Sequence, residues 1–371
     1  MAAWLLLACA TPTTGWVVEV RGAVIDPDWE PIGDAEVSLL SADGAWMGSS
    51  TTDSTGAWRL PVAFESSGQV AIQVQADRSG RASSTLYTSL LLRDLPDPIP
   101  LRVGPGQQLA MATVHVPPVV LALDGEGVGS GTVFDATTGL AVPRLQFTLH
   151  RGWNAPASAA IETVGATDAD GEFSLAAPAG TYTAVSDAQA GLARTVFPVV
   201  VAPEEVRYQR GFVVPPPGEP ELRAALAWDG ARASLDLHVT GPKGGSDNDE
   251  GRFNVYESDP IFPNSGDPVA QLEFSSPGNE AITVNRHLSD GLYRVSAHDI
   301  GNAQEPEVAE KLSQSAALAW IWWEEEVWLE TAPYGVAATV WRAMELEVSD
   351  GTLTRLQQLD TSTTGADLGA F

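Results

Sequence analysis

A single cysteine, Cys9, stands in 371 residues, so no intramolecular disulfide can form and stability must come from packing. Basic residues are few as well: 20 Lys and Arg face 48 Asp and Glu, a net charge of −28. Phosphate backbones would be repelled, and counterion-release binding needs clustered cations, so no nucleic-acid partner is expected. No uninterrupted window of about 18 apolar residues occurs, which removes a spanning helix. Amphipathic helical periodicity between caps is also missing. Catalytic signatures are equally sparse. None of His115, His150, His238, His287 or His298 begins a His-x-x-Glu, no His-Glu-x-x-His occurs, and there is no Gly-x-Ser-x-Gly elbow. The expectation is therefore a non-enzyme that requires no cofactor.

What is present is alternation. Segments such as Val17-Val18-Glu19-Val20, Ala35-Glu36-Val37-Ser38-Leu39, Val70-Ala71-Ile72-Gln73-Val74, Phe147-Thr148-Leu149 and Leu235-Asp236-Leu237-His238-Val239 read as half-buried strands. Asp43-Gly44, Asp170-Gly171, Asp290-Gly291 and Asp350-Gly351 supply the turn residues between strands. Prolines at 117–118 and 215–217 mark edges and linkers, since Pro cannot donate in a central ladder. The tail of the first region, 66–116, reads as irregular. The predicted fold class is all-β, built as tandem β-sandwich modules.

The sequence repeats internally. Thr52-Asp53-Ser54-Thr55-Gly56-Ala57-Trp58-Arg59-Leu60 matches Thr167-Asp168-Ala169-Asp170-Gly171-Glu172-Phe173-Ser174-Leu175 position by position in its Thr, Asp, Gly, aromatic and Leu. The Asp is expected to accept backbone N–H bonds in a turn, the Gly to take a left-handed conformation, and the aromatic and Leu to face one core. Upstream, Gly22-Ala23-Val24-Ile25-Asp26 pairs with Gly131-Thr132-Val133-Phe134-Asp135. These residues resemble the carboxypeptidase regulatory-like domain, a transthyretin-like β-sandwich of bacterial surface proteins. The resemblance covers about 17–120 and 121–214 and implies modules without catalytic residues of their own. Beyond them, Leu226-Ala227-Trp228, Asp236-Leu237-His238-Val239 and Gly291-Leu292-Tyr293-Arg294-Val295 resemble a bacterial β-sandwich family of uncharacterised role, over about 222–360.

At the start, Leu6-Leu7-Ala8-Cys9 resembles the lipobox of bacterial lipoproteins. The resemblance implies diacylglycerol on Cys9, cleavage before it, and a membrane partner reached through that anchor; Ala10 implies sorting to the outer membrane. Several acyl chains anchor stably where one would not. The chain is thus divided into a signal peptide over 1–8, a tether over 9–16, regulatory-like modules over 17–120 and 121–214, a Pro-rich linker over 215–221, a third sandwich over 222–360 and a tail over 361–371.

Four further features are candidate sites. Gly125-Glu126-Gly127-Val128-Gly129-Ser130-Gly131 looks like a dinucleotide loop, but Thr132-Val133-Phe134 continues as a strand rather than a helix, so a flexible linker is expected. Asp247-Asn248-Asp249-Glu250-Gly251 is a candidate calcium loop through Asp247 and Asp249, with Asp168 and Asp170 a weaker one. Asp236 and His238 share one strand face, opposite Leu235, Leu237 and Val239, and an exposed or locally bonded imidazole is expected there. Finally, Trp320-Ile321-Trp322-Trp323-Glu324-Glu325-Glu326-Val327-Trp328 reads as a hairpin with Trp320 and Trp322 on one face. That face is either core or an aromatic platform for glycan or an envelope protein. The expected function is a lipid-anchored scaffold of the cell envelope with an adhesion or glycan-binding role, its first two modules a spacer carrying the third outward. An accessory subunit docking an envelope enzyme or secretion complex, and a hydrolase with a dispersed site, are the alternatives.

Overall fold

The computed structural model describes residues 14–65, 67–92, 99–100, 112–204, 206, 209–218, 221–243, 252–263, 268–285, 291–302, 311–349 and 351–360. Described secondary structure is almost wholly strand, arranged in several separate sheets, and the fold is a set of tandem β-sandwiches. Among the described residues no helix is long and apolar enough to cross a membrane.

The first unit runs through β1 (Thr14–Ile25), β2 (Glu36–Ser41), β3 (Trp46–Thr51), β4 (Ala57–Phe64), β5 (Gly68–Asp77), β6 (Ser84–Leu92), β7 (Ile99–Pro100), β8 (Ala112–His115) and β9 (Val119–Val120). One sheet centres on β1, with β4 antiparallel and β8 parallel beside it, and the other has the order β3-β2-β5-β6. Alternation does the packing: Val18 and Val20 of β1 meet Val37 and Leu39 of β2, Ile72 and Val74 of β5, and Leu86 and Leu90 of β6. Part of the stretch expected to be irregular is in fact the longest unbroken pairing of this unit. β5 and β6 keep register from Gly68↔Leu92 to Ala76↔Ser84.

The second unit repeats that plan with β10 (Glu126–Asp135), β11 (Gln146–Arg151), β12 (Ile161–Ala166), β13 (Glu172–Pro178), β14 (Gly180–Ser186), β15 (Thr195–Val201) and β16 (Arg210–Val213). Its sheets are β13-β10-β16, antiparallel then parallel, and β12-β11-β14-β15. The shared motif performs the same task twice. Asp53 Oδ1 accepts the N–H groups of Thr55 (2.8 Å) and Ala57 (3.2 Å), and Asp168 Oδ1 accepts those of Asp170 (2.9 Å) and Glu172 (3.0 Å). Gly56 and Gly171 sit at φ 73° and 77°, and Trp58 and Phe173 are buried. The Thr that opens the motif is also spent on the fold. Thr167 Oγ1 accepts the Leu145 N–H at 2.9 Å and donates to the Val142 carbonyl at 2.7 Å, as Thr52 does with Ala35 and Ile32.

The glycine-rich stretch over 125–131 is not the expected linker, since residues 126–131 belong to the central strand β10. A side chain at Gly127 would meet the Ala202 backbone at 2.3 Å, so the glycine is there for close approach of two chain segments rather than for mobility.

The third unit contains β17 (Leu222–Ala227), β18 (Leu235–Pro242), β19 (Arg252–Val255), β20 (Ile261–Phe262), β21 (Ala270–Ser276), β22 (Asn279–Val284), β23 (Leu292–Asp299), the short helix α1 (Lys311–Gln314), β24 (Leu318–Trp323), β25 (Glu326–Thr331), β26 (Val340–Glu347) and β27 (Thr352–Asp360). Its sheets have the orders β20-β21-β22-β17-β24-β25 and β19-β18-β23-β26-β27. Leu235, Leu237, Val239, Tyr293, Val295 and Ala297 from one sheet close on Ala224, Leu226, Ile282, Val284, Ala319 and Ile321 from the other. At one edge a buried chain of polar groups joins the sheets: Trp341 Nε1 donates to Gln357 Oε1, Gln357 Nε2 to Glu330, and Arg355 Nη1 lies 2.7 Å from Glu330 Oε1.

These units are not strung out as a spacer and a head. Tyr87 and Trp153 of the first two exchange backbone bonds with each other's neighbourhood: Tyr87 N–H to the Trp153 carbonyl at 2.9 Å, and Trp153 N–H to the Thr85 carbonyl at 2.8 Å. The third unit packs back on both. Arg210 donates to the Gly278 carbonyl and Asn279 Oδ1, Asn154 Nδ2 to the Leu329 carbonyl, and Arg232 Nη2 to the Asp28 carbonyl.

Candidate functional site

The hairpin of β24 and β25 forms as its sequence pattern predicts, with Glu324 at φ 53° in the turn. Trp320 and Trp322 do share a face, but that face is not a platform. Both are almost fully buried, at 0% and 1% exposure. Their rings stack at 6.5 Å and 8°, Phe212 of β16 meets Trp320 edge-on at 5.3 Å, and Trp320 Nε1 donates to the Val196 carbonyl of β15 at 2.7 Å. Ile321 and Trp323 face the third unit's own core. The strand is apolar on both sides because it is sandwiched between two hydrophobic clusters. A sugar ring has no access to these indoles in this arrangement: of the two readings of that face, core filling is what the structure shows, and the platform at Trp320 and Trp322 is ruled out.

Asp236 and His238 also share a face, and it too is buried rather than exposed. His238 stacks on Tyr256 at 4.6 Å, meets His298 edge-on at 5.8 Å, bonds Asn254 Oδ1 through Nδ1 at 3.1 Å, and points Nε2 at Asp236 Oδ2, 3.7 Å away. From the opposite sheet Glu280 reaches across the edge. Its Oε2 accepts the Leu237 N–H at 2.6 Å, where the β18–β19 ladder has ended, and Ser275 donates to Oε1 at 3.0 Å. Asp236 Oδ1 accepts the Glu257 N–H at 3.1 Å.

Burial is the first cause of every shift in this cluster. It pushes Asp236 up to about 6 and Glu280 up to about 8, with the other's negative charge adding to the rise of Glu280. It pushes His238 down to about 3, so the imidazole is neutral at physiological pH. Glu280 and His298 were not singled out from the sequence; Glu280 sits on the apolar side of an otherwise hydrophobic strand, Ala281-Ile282-Thr283-Val284, and that misplaced charge was the available signal. Among the described residues no three His, Cys, Asp or Glu side chains converge to hold a metal ion. Asp168 and Asp170, the weaker calcium candidate, form the hairpin tip described above, with the Asp168 carboxylate occupied by backbone N–H groups. Cys9, Asp247 and Asp249 lie outside the described residues.

Neither of two cavities is lined by that cluster. An open groove of about 690 Å³ runs beside the edge strand β12, along Gln146, Thr148, Val164 and Val185. A tighter cleft of about 270 Å³ lies where all three units meet. Trp29 and Asp28 come from the first unit, Trp153, Val200 and Arg210 from the second, and Asp229, Arg232 and Leu318 from the third. No sequence pattern points to it, because its walls are separated by up to about 290 positions and belong to no motif.

No family model matches the chain, and no curated protein matches it. Among solved structures it is similar to a streptococcal ancillary pilin at 16% identity, covering 54% of this chain and 63% of that one, with a TM-score of 0.21. A shaft pilin, SpaA, from Lactobacillus rhamnosus GG is 13% identical over 54% of this chain and 97% of its own, with a TM-score of 0.18. A 3-chlorocatechol 1,2-dioxygenase from Rhodococcus opacus is 14% identical over 30% and 62%, with a TM-score of 0.22. The chain thus spans less than two thirds of the ancillary pilin and of the dioxygenase. At these scores the likenesses, which join pilins with an oxidative enzyme, carry no argument about function.

Proposed function

We propose that this chain is a non-enzymatic scaffold of the bacterial cell envelope, anchored through lipid on Cys9 and presenting three fused β-sandwiches for adhesion-type contact. The observation that carries the reading is the mutual burial of the units. Indole, guanidinium and amide groups that could serve a ligand, from Trp320 to Arg210 and Asn154, are spent on holding one sandwich to the next. That is the expenditure of a load-transmitting body. The paired motifs at Asp53 and Asp168 support reading the first two units as carboxypeptidase regulatory-like modules, and the Leu6-Leu7-Ala8-Cys9 run supports an outer-membrane lipoprotein.

Palmitate labelling with membrane fractionation, comparing the intact chain with Cys9→Ala, tests it. Incorporated label and membrane association that vanish in the variant are expected. Soluble behaviour of both forms would remove the anchor from the account.

A hydrolase reading has one observation behind it, the raised Asp236 and Glu280 carboxyls. Their oxygens are engaged by Leu237, Glu257 and Ser275, so the pair is better read as a link between sheets.

A further inference from the structure

The junction cleft breaks a local rule at Trp29. The residue sits at φ 64°, a left-handed conformation that a bulky side chain adopts only when its surroundings force it. The repeat supplies the comparison. Trp29 lies two residues before Pro31, which bridges Ile25; Gly139 lies two before Ala141, which bridges Phe134, and takes φ 68°. The second unit fills the position with the residue that suits it, and the first fills it with an indole that lines the cleft, one part of it packed on the Tyr334 ring at 6.1 Å.

The loop that bears Trp29 is held in advance. Asp26 Oδ1 accepts the N–H groups of Asp28 and Glu30, both at 3.0 Å; Arg232 Nη2 donates to the Asp28 carbonyl at 2.7 Å; Tyr334 donates its hydroxyl to the Trp29 carbonyl at 3.3 Å. A second non-glycine residue of the lining, Ala316, is left-handed too, at φ 55°.

The polar groups decide the kind of ligand. Asp28 is exposed, and its carboxylate accepts no hydrogen bond from the described residues. Arg232 spends Nε on Asp229 at 3.2 Å and Nη2 on the Asp28 carbonyl, which leaves Nη1 as a donor at the rim. Two aspartates, Asp28 and Asp229, balance two arginines, Arg210 and Arg232. A phosphate would meet the Asp28 charge, and an amine would meet the Arg232 guanidinium. A neutral molecule that both donates and accepts, with an apolar face for the half-buried indole, meets neither penalty. We propose that the junction cleft binds a neutral pyranoside, with the ring stacked on Trp29 and its hydroxyls bridging Asp28 and Arg232. This deepens the adhesion reading above by naming a ligand class, and it locates the sugar at Trp29 rather than at Trp320 and Trp322.

Isothermal titration calorimetry of the full chain in detergent tests it, with maltotriose, cellotriose and chitotriose as neutral probes and inorganic phosphate and tetramethylammonium as charged ones. At least one trisaccharide should bind with a Kd of about 1 mM or tighter, and neither charged probe should. Trp29→Gly, which places in the first unit the residue the second already uses, should weaken binding by about tenfold or more, and Asp28→Asn should weaken it by about threefold or more. Trp46→Ala, removing an exposed indole on the edge strand β3, should leave it unchanged. Three results would overturn the proposal: no trisaccharide bound, binding that survives Trp29→Gly in a chain whose melt is unaltered, or selective binding of phosphate or tetramethylammonium. Labelling at Cys9 reads the envelope assignment separately, so either can fail without the other.

Discussion

Trp320 donates its indole N–H to the carbonyl of Val196 at 2.7 Å, across 124 positions of sequence and from one sandwich to the next. The indole that makes it is buried, stacked on Trp322 and met edge-on by Phe212. A residue that composition marks as a ligand platform is thereby the seam of the molecule.

Trp320→Ala should therefore behave as a deep core deletion. It leaves a large cavity and takes the partner from a part-buried carbonyl, and should cost about 3–5 kcal/mol in urea unfolding. Trp320→Phe keeps most of the ring and should cost about 1–2 kcal/mol, chiefly for the lost N–H. A Trp320→Ala loss below about 1 kcal/mol would mean the ring is not packed as described.

Glu280 gives a pH dependence of definite sign. A carboxyl whose folded pKa is raised binds its proton more tightly in the native state, so stability falls as pH rises between the unfolded and folded values. For Asp236 that window runs from 3.8 to about 6, and for Glu280 from 4.5 to about 8. His238 acts in the opposite sense. Its pKa is depressed from 6.5 to about 3, so stability rises with pH over that interval and offsets the carboxyls. Above 6.5 the Asp236 and His238 contributions fade in opposite senses, and Glu280 is the group of the three whose titration dominates. Stability should fall from pH 6.5 to 8 by at most about 1.4 kcal/mol per unit, and Glu280→Gln, which keeps an acceptor for the Leu237 N–H, should flatten that fall. Urea melts at the two pH values check it; an equal slope in both proteins would contradict it.

Thr167→Val tests the repeat. The swap keeps the shape but strips the Leu145 N–H and the Val142 carbonyl of their buried partner. A loss of about 1–3 kcal/mol is expected, and the equivalent Thr52→Val should cost a similar amount. If either change is neutral in a thermal melt, the hydroxyl is dispensable to the turn.

The sheet edge at Glu330 should show the asymmetry of a buried ion pair. Arg355→Met strands a fully buried carboxylate and should destabilise by about 3 kcal/mol or more, whereas Glu330→Gln together with Arg355→Met should recover most of that loss. Additive effects in the double-mutant cycle would show that the two side chains are not coupled.

Local order was legible in the sequence wherever alternation and turn chemistry agreed. The Asp53 and Asp168 turns, the strands β2, β5, β11 and β18, and the Trp hairpin all follow from patterns a few residues long. What could not be read was which faces are covered by other units. Trp320, Trp322, Asp236 and His238 were placed on the correct strand faces, yet their burial depends on β15, β16 and the Tyr256 segment, which pair with them only in three dimensions. The glycines of β10 looked like a linker because close approach to Ala202 leaves no local trace. The cleft at Trp29 is hidden for the same reason, although the Trp29 and Gly139 loops, set side by side, already disagree.

Differential scanning calorimetry of the intact chain and of Trp320→Ala bears most directly on the fused-sandwich account. It predicts that the second and third sandwiches melt together in one transition in the unaltered chain, and that Trp320→Ala splits that transition in two. Independent melting of the two sandwiches in the unaltered chain would contradict it.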